Sequence, residues 1–186
     1  MTIIHKLKVE PMTEESFEPY GFILDAKDHP ADHRILAKSD YRSDGETIVG
    51  VIWQPYQGQT FTQLERHFGV TQSFIQMSGS PAVVAVAAPT DLDDPMAIPS
   101  PEEVKAFLIN PNKGFSFKVG TWHSLNRYVL SPPGATFAIM NSVPNPTQLV
   151  DLEKNYSLTY KDLDTDKNPH RVDLEYGPAI SFEIGL

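Results

Sequence analysis

Three short segments typical of β-strands, separated by turn residues, constrain the fold of this chain most strongly. They cover residues 61–67, 71–77 and 82–88. Phe68-Gly69 and Ser78-Gly79-Ser80-Pro81 stand between them and are typical of turns. The third run, Ala-Val-Val-Ala-Val-Ala-Ala, is apolar throughout, which predicts a strand that is buried on both faces. The pattern therefore predicts consecutive β-strands in the centre of the protein.

Similar short segments recur along the rest of the chain. Sixteen prolines in 186 residues favour short elements over long helices. We expect about eight to ten strands, a number typical of a barrel or a sandwich. Thr13 predicts a capped helical turn before Pro19, and one short helix is expected over residues 101–109. There Ser100 is the predicted cap, followed by proline and two glutamates. The fold class is therefore all-β with one short helix.

Length and composition narrow the class of protein. The 186 residues suit a single domain, with residues 143–186 as a less certain C-terminal extension. A net charge of −9 argues against nucleic-acid binding. Cysteine is absent, residues 1–11 lack the apolar centre of a signal peptide, and no run is long enough to span a membrane. We therefore expect a cytoplasmic protein without a membrane partner.

A carboxylate and an imidazole share one face of the first predicted strand. Glu65 and His67 are two residues apart, so both side chains point to the same side of a strand. Burying these two groups in an all-β core is costly unless they are paired, bound to a metal or used in chemistry. Gln72 lies five residues beyond His67, across a turn. For each residue alone, a structural role is the simpler explanation.

A second histidine follows a glycine bend about fifty residues later. In Gly120-Thr121-Trp122-His123, the bend delivers His123 to the start of another strand, and Lys118 stands just before it. Alone, Lys118 suits a solvated surface and Trp122 suits core packing. The polar stretch 25–44, which contains His29 and His33, predicts a surface loop. In a barrel of hairpins the two motifs can converge, so we expect Glu65, His67 and His123 to line one cavity.

These motifs resemble those of the cupins. Glu65-x-His67-x4-Gln72 resembles the first cupin motif, and Gly120-x-x-His123 resembles the second. More closely, residues 9–142 resemble the bacterial and fungal ureidoglycolate lyase family. The matching segments are Phe17-Glu18-Pro19-Tyr20-Gly21, Leu64-Glu65-Arg66-His67, Thr71-Gln72-Ser73-Phe74-Ile75 with Ser78-Gly79, Phe107-Leu108, and Gly120-Thr121-Trp122-His123. The resemblance implies a cupin-type β-barrel (a double-stranded β-helix), a homodimer, and cleavage of ureidoglycolate to glyoxylate and urea in purine and allantoin degradation.

The chain also departs from the family pattern. Lys118 stands where the family has a histidine, and Ser124 stands where it has a second histidine after the bend. An arginine that the family carries in the strand around residues 52–54 is absent, and Asn141-Ser142 replaces an Asp-Arg pair. Two missing arginines remove partners for a substrate carboxylate. The catalytic framework is therefore expected to persist while the substrate could differ.

The chemistry assigns roles to these residues. Cleavage at a carbinol carbon needs a base for the hydroxyl proton and an acid for the departing nitrogen. Either histidine could do this, and Glu65 could orient a histidine or act as the base. Lys118 or Arg66 could hold a carboxylate, although alternation puts Arg66 on the face opposite Glu65. We predict catalytic roles for Glu65, His67, His123 and Lys118, and substrate binding by Gln72, Trp122, Ser124 and Asn141.

Metal binding is a separate possibility. Glu65, His67 and His123 provide a donor set that suits a divalent ion with open positions. No other cofactor is expected. Three functions follow: a carbon–nitrogen lyase of the amidine-lyase type, a metal-dependent cupin oxygenase or isomerase for another small carboxylic acid, or a non-catalytic cupin binding module. In each case the partner is a small molecule.

Overall fold

The computed structural model describes residues 2–26, 38–175 and 177–185, and within them sixteen strands. His29 and His33 of the predicted surface loop lie outside the described residues. The strands are β1 (Thr2–Pro11), β2 (Gly21–Leu24), β3 (Glu46–Pro55), β4 (Thr60–Phe61), β5 (Gln63–His67), β6 (Ser73–Gly79), β7 (Ala82–Ala87), β8 (Lys105–Leu108), β9 (Gly114–Phe117), β10 (Trp122–Ser124), β11 (Tyr128–Val129), β12 (Gly134–Val143), β13 (Thr147–Asp151), β14 (Tyr156–Tyr160), β15 (His170–Asp173) and β16 (Ala179–Gly185).

The strands form two sheets. The larger has eleven strands in the order β15-β14-β13-β5-β10-β7-β8-β1-β16-β4, with β11 paired to β7. The smaller has the order β2-β9-β6-β12-β3. β1 runs parallel to both β8 and β16, and the other pairs are antiparallel. This curled, mixed arrangement confirms the predicted all-β fold of the cupin type, with more and shorter strands than expected.

Two cores lie on the two faces of the larger sheet. The first fills the space between the sheets and is rich in phenylalanine. The second covers the opposite face, where Phe182 of β16 stacks on Phe61 at 4.9 Å between ring centroids. Successive residues of β7 enter alternate cores, and all six are 0% exposed. The prediction that this strand is buried on both faces is therefore confirmed.

Residues beyond 143 belong to the same larger sheet. β13 pairs with β5 over five residues, so that Leu149 lies opposite Glu65. β16 pairs in parallel with β1 over seven residues, from Thr2 opposite Ala179 onward. The segment that sequence analysis treated as an uncertain extension thus supplies the neighbour of the strand that carries Glu65 and His67.

The helix predicted over residues 101–109 is wrong. A short 3₁₀ helix covers only Pro101–Glu103, and the chain then enters β8. β8 lies between β7 and β1, and these neighbours satisfy its backbone groups as a central strand. The predicted turn near Thr13 is confirmed as α1 (Glu14–Phe17), where Thr13 and Ser16 form a capping box.

Candidate active site

Three titratable side chains converge on the face of the larger sheet that looks toward the smaller one. β5 and β10 are antiparallel neighbours, and His123 pairs directly with Glu65. The Nδ1 atom of His123 lies 3.8 Å from Oε1 of Glu65, and the rings of His67 and His123 are 5.1 Å apart. All three side chains are buried. The predicted convergence of these residues is therefore observed.

The hydrogen bonds of the two histidines indicate their tautomers. Thr147 donates its hydroxyl proton to the carbonyl of Asn145, so its oxygen accepts from Nδ1 of His67 at 2.9 Å. Nδ1 of His123 donates to the carbonyl of Ser124 at 3.2 Å. Both rings thus carry the proton on Nδ1, and both Nε2 atoms lack a partner among the described residues. The Nε2 lone pairs of both histidines are therefore buried without a hydrogen-bond donor among the described residues.

Burial makes both imidazoles neutral at physiological pH. It lowers the pKa of His67 to about 4. The positive charge of Arg127 lowers this pKa further, whereas the side chain of Gln72 raises it. Burial also lowers the pKa of His123 well below its usual value, with His67 and Arg127 adding to the effect. For Glu65, burial raises the pKa to about 7, and the attraction of Arg127 opposes this. The carboxyl group, rather than an imidazole, thus titrates near neutral pH.

Arg127 is the main addition that the structure makes to the predicted site. It follows β10 in the chain, is 6% exposed, and acts electrostatically on Glu65, His67 and His123. Its Nε and Nη1 atoms have no hydrogen-bond partner among the described residues. Sequence analysis does not select this residue, and strand alternation from His123 does not extend to it, because β10 ends at Ser124 and two bend residues follow.

Two predicted substrate-binding residues also present unpaired polar atoms. The Oε1 atom of Gln72 and the Oδ1 atom of Asn141 are buried without a partner among the described residues. Asn141 shares its face of β12 with Phe137, which packs in the core between the sheets. Gln76 and Asn145, which sequence analysis did not select, show the same feature. Unpaired buried atoms of this kind are concentrated where a protein binds ligands or water.

Trp122 and Ser124 require correction as substrate-binding residues. They flank His123 on β10, so their side chains point to the opposite face of the sheet. Nε1 of Trp122 donates to Thr90 at 3.0 Å, and the ring lies under Arg66. The hydroxyl of Ser124 accepts from a backbone amide and donates to a backbone carbonyl. Both are structural in this position.

Lys118 likewise has a different environment from the one predicted. Its ammonium donates to the carboxylate of Glu18 at 2.7 Å, and its side chain is 41% exposed. It is not among the charges that shift the pKa of Glu65, His67 or His123. The structure therefore argues against a catalytic role for Lys118, because the nearby strand end directs it toward α1 and solvent.

The predicted donor set fits a divalent metal ion. One ligand atom from each of Glu65, His67 and His123 can be chosen so that all lie within 4.8 Å of one another. Metal-bound histidines are typically neutral and donate their other ring N–H to an oxygen, as both histidines do here. The bare Nε2 atoms and the carboxylate could therefore bind a metal together. The positive charge of Arg127 acts against this.

The pKa shifts of Glu65, His67 and His123 predict how the stability of the protein depends on pH. The ordinary pKa values are 6.5 for histidine and 4.5 for glutamate. Midway between pH 6.5 and 4.5, the unfolded chain holds protons on His67 and His123 but not on Glu65, whereas the folded protein holds one on Glu65 and none on the two imidazoles. The unfolded state thus binds about one proton more, so the free energy of unfolding should fall by about 1 kcal/mol per pH unit on acidification.

Urea denaturation at about pH 7 and pH 5, in the presence of a chelator, measures this dependence. His67→Asn removes one of the two histidines, so the remaining histidine and Glu65 should nearly cancel and the slope should flatten. A metal-free protein that is more stable at pH 5 than at pH 7 would contradict the assignment of two neutral buried histidines.

Comparison with known proteins bears on the same residues. A family model described as ureidoglycolate lyase matches residues 4–159, which run from the third residue of β1 to the last but one of β14. The chain belongs to the ureidoglycolate lyase family. A ureidoglycolate lyase of Pseudomonas savastanoi pv. phaseolicola is 29% identical over 132 residues, 64% of this chain and 74% of that protein. One of Rhodobacter capsulatus is 29% identical over 145 residues, 71% of this chain and 82% of that protein.

The family match supports the resemblance drawn from the Leu-Glu-Arg-His and Gly-Thr-Trp-His segments. It ends at residue 159, so β15 and β16 lie outside it. Within the described ranges, no helix is long and apolar enough to cross a membrane.

Proposed function

We propose that the protein is a lyase that cleaves ureidoglycolate to glyoxylate and urea. One observation supports this beyond family membership. A carboxyl group that titrates near neutral pH and two bare imidazole nitrogens converge in a buried site, on Glu65, His67 and His123. A proton carrier and hydrogen-bond acceptors in one water-poor site are what cleavage at a carbinol carbon needs.

Glu65 is the proposed proton carrier. As a carboxylate it takes the proton of the substrate hydroxyl while the carbon–nitrogen bond breaks. The carbinol oxygen becomes the aldehyde oxygen of glyoxylate, and the electron pair of the broken bond passes to the urea nitrogen. Glu65 then returns the proton to that nitrogen, so no net proton is gained or lost. A pKa of about 7 suits both transfers near neutral pH.

The histidines have an orienting role in this proposal. The substrate hydroxyl and the urea N–H groups are donors, and the bare Nε2 atoms of His67 and His123 accept from them. Thr147 and the Ser124 carbonyl fix both rings through Nδ1. The rings therefore hold the reacting carbon next to Glu65 without the need to change protonation state.

A divalent ion would give the two histidines a different role, because their Nε2 lone pairs would bind the ion instead of accepting hydrogen bonds from the substrate. His67, His123 and one oxygen of Glu65 would hold it, which leaves the second carboxyl oxygen available for proton transfer. Such an ion would polarise the substrate hydroxyl and lower its pKa when bound.

The deciding assay is the release of glyoxylate from racemic ureidoglycolate by the pure protein. We expect release well above the spontaneous rate, with urea formed in equal amount. Parallel reactions with a chelator and with added divalent metals show whether an ion is required. Folded protein that releases no glyoxylate under any of these conditions would contradict the proposal, and consumption of oxygen would favour the oxygenase alternative.

We also propose that the protein forms a homodimer. The smaller sheet exposes apolar side chains on β3 and β6, the two strands that flank β12, with exposed fractions of 65% for Val51, 52% for Trp53 and 59% for Met77. Contiguous exposed apolar residues of this kind favour contact with a second copy. Sedimentation should give twice the chain mass, and Val51→Glu should shift the protein toward the monomer. A monomeric wild-type protein would contradict this.

Purine degradation through allantoin, in the cytoplasm, is the proposed setting of the reaction. The absence of cysteine is consistent with a reducing compartment. A strain that lacks the gene should grow poorly with allantoin as the nitrogen source. Unimpaired growth, with a single copy of such a gene, would count against this setting.

A further inference from the structure

Arg127 is a buried cation whose position is fixed from several sides. Its Nη2 atom donates to the carbonyl of Leu125 at 2.6 Å, and its backbone amide donates to the side chain of Gln54 at 2.7 Å. The guanidinium group lies 4.3 Å from the centre of the ring of Phe74, a residue of β6 in the smaller sheet. β3, β6 and the segment after β10 together hold this side chain in the protein interior.

The guanidinium group nevertheless has unused donors. Nε and Nη1 are buried and have no hydrogen-bond partner among the described residues. Glu65 attracts the group electrostatically without forming a hydrogen bond to it. A buried guanidinium with free N–H groups costs free energy, and an anion that accepts from them recovers much of that cost. The geometry thus calls for an anionic ligand.

We propose that Arg127 binds the carboxylate of the substrate. This inference rests on the proposed function, in which the substrate is a small 2-hydroxy acid. The planar guanidinium matches a carboxylate better than the point charge of a lysine does. With the carboxylate at Arg127, the adjacent carbinol carbon is directed toward Glu65 and the two imidazoles, the groups on which Arg127 acts electrostatically.

A carboxylate-binding role for Arg127 would replace the two arginines of the family pattern that this sequence lacks. Gln54 lies in the segment where the family resemblance predicts an arginine. Its side-chain oxygen instead accepts a hydrogen bond from the backbone amide of Arg127. Lys118, the replacement that sequence analysis favoured, is half-exposed and paired with Glu18. In this chain the proposed carboxylate-binding cation thus lies in the segment between β10 and β11, and not on the strands of the smaller sheet.

Glycolate is the probe for a direct test, because it is a 2-hydroxy acid without a carbon–nitrogen bond to cleave. Calorimetric titration of the wild-type protein should detect binding, and Arg127→Met should weaken it about 100-fold. Arg171→Met is the matched control, since Arg171 also lies 4.3 Å from an aromatic ring but on the surface. It should bind glycolate like the wild type.

Turnover provides a second readout. N-(hydroxymethyl)urea has the same carbinol carbon and urea group but no carboxylate. Wild-type protein should prefer ureidoglycolate to it in kcat/KM, and Arg127→Met should remove most of that preference through KM rather than kcat. A variant that keeps the preference would overturn the inference. Loss of glycolate binding in Lys118→Met, with Arg127→Met unaffected, would assign the carboxylate to Lys118 instead.

These outcomes separate the inference from the proposed function. Protein that binds glycolate through Arg127 but releases no glyoxylate would contradict the lyase assignment and leave the carboxylate site standing. If circular dichroism shows that Arg127→Met does not fold, Arg127→Lys decides the matter. It should bind glycolate about tenfold more weakly, because it keeps the charge and loses the planar donors. Affinity equal to that of the wild type would overturn the role.

Discussion

Glu65→Gln should reduce kcat for ureidoglycolate by about 10²- to 10⁴-fold, the range typical of a lost proton carrier. Glutamine preserves the size of the side chain and its hydrogen-bonding capacity but cannot take the hydroxyl proton. Because Glu65 is buried and its carboxyl group has a pKa of about 7, the neutral amide resembles the protonated form, and the fold should be retained. KM should change little, since Arg127 supplies the carboxylate contact.

Steady-state kinetics with circular dichroism as a folding check measure this effect. The matched control is Glu153→Gln, the same substitution at an exposed position that is distant in sequence from β5. It should leave kcat unchanged. A folded Glu65→Gln protein with at least a third of wild-type kcat would show that another group moves the proton, and the bare Nε2 of His67 would be the next to examine.

Strand alternation was sufficient to predict much of the site. The two-residue spacing of Glu65 and His67 placed both on one face, and the glycine bend at Gly120, where φ is +80°, delivers His123 beside them. The rule does not extend to Arg127, because β10 ends at Ser124 and two bend residues separate Arg127 from it. Long-range packing on Phe74 buries its guanidinium group, and local sequence does not contain that contact.

Other errors have physical causes that local sequence does not contain. Ser100 and the residues after it have the signals of a helix start, but β7 and β1 lie on both sides of the next segment and pair with it as a strand. Tertiary pairing thus outweighed the local preference. The prediction that Trp122 binds substrate is corrected by its position beside His123 on β10, because neighbours on a strand point to opposite faces.

Arg66 shows how the opposite face of β5 supports the site. Its guanidinium is 0% exposed, lies 4.6 Å from the Trp122 ring, and donates from Nε to Gln148 at 2.8 Å. Nη1 donates to the hydroxyl of Thr90 and the carbonyl of Asp91, both at 3.0 Å. These bonds tie the loop after β7 to the strand that carries Glu65 and His67, so Arg66 positions the site without entering it.

Arg66→Ala should therefore lower the free energy of unfolding by about 3 kcal/mol, because the buried acceptors on Gln148 and the loop lose their donor. Arg171→Ala is the matched control. Arg171 also bonds an oxygen acceptor and lies over a ring, but its side chain is 55% exposed. It should cost less than about 1 kcal/mol. Equal losses in urea denaturation would mean that burial of the Arg66 network adds no stability beyond a surface ion pair.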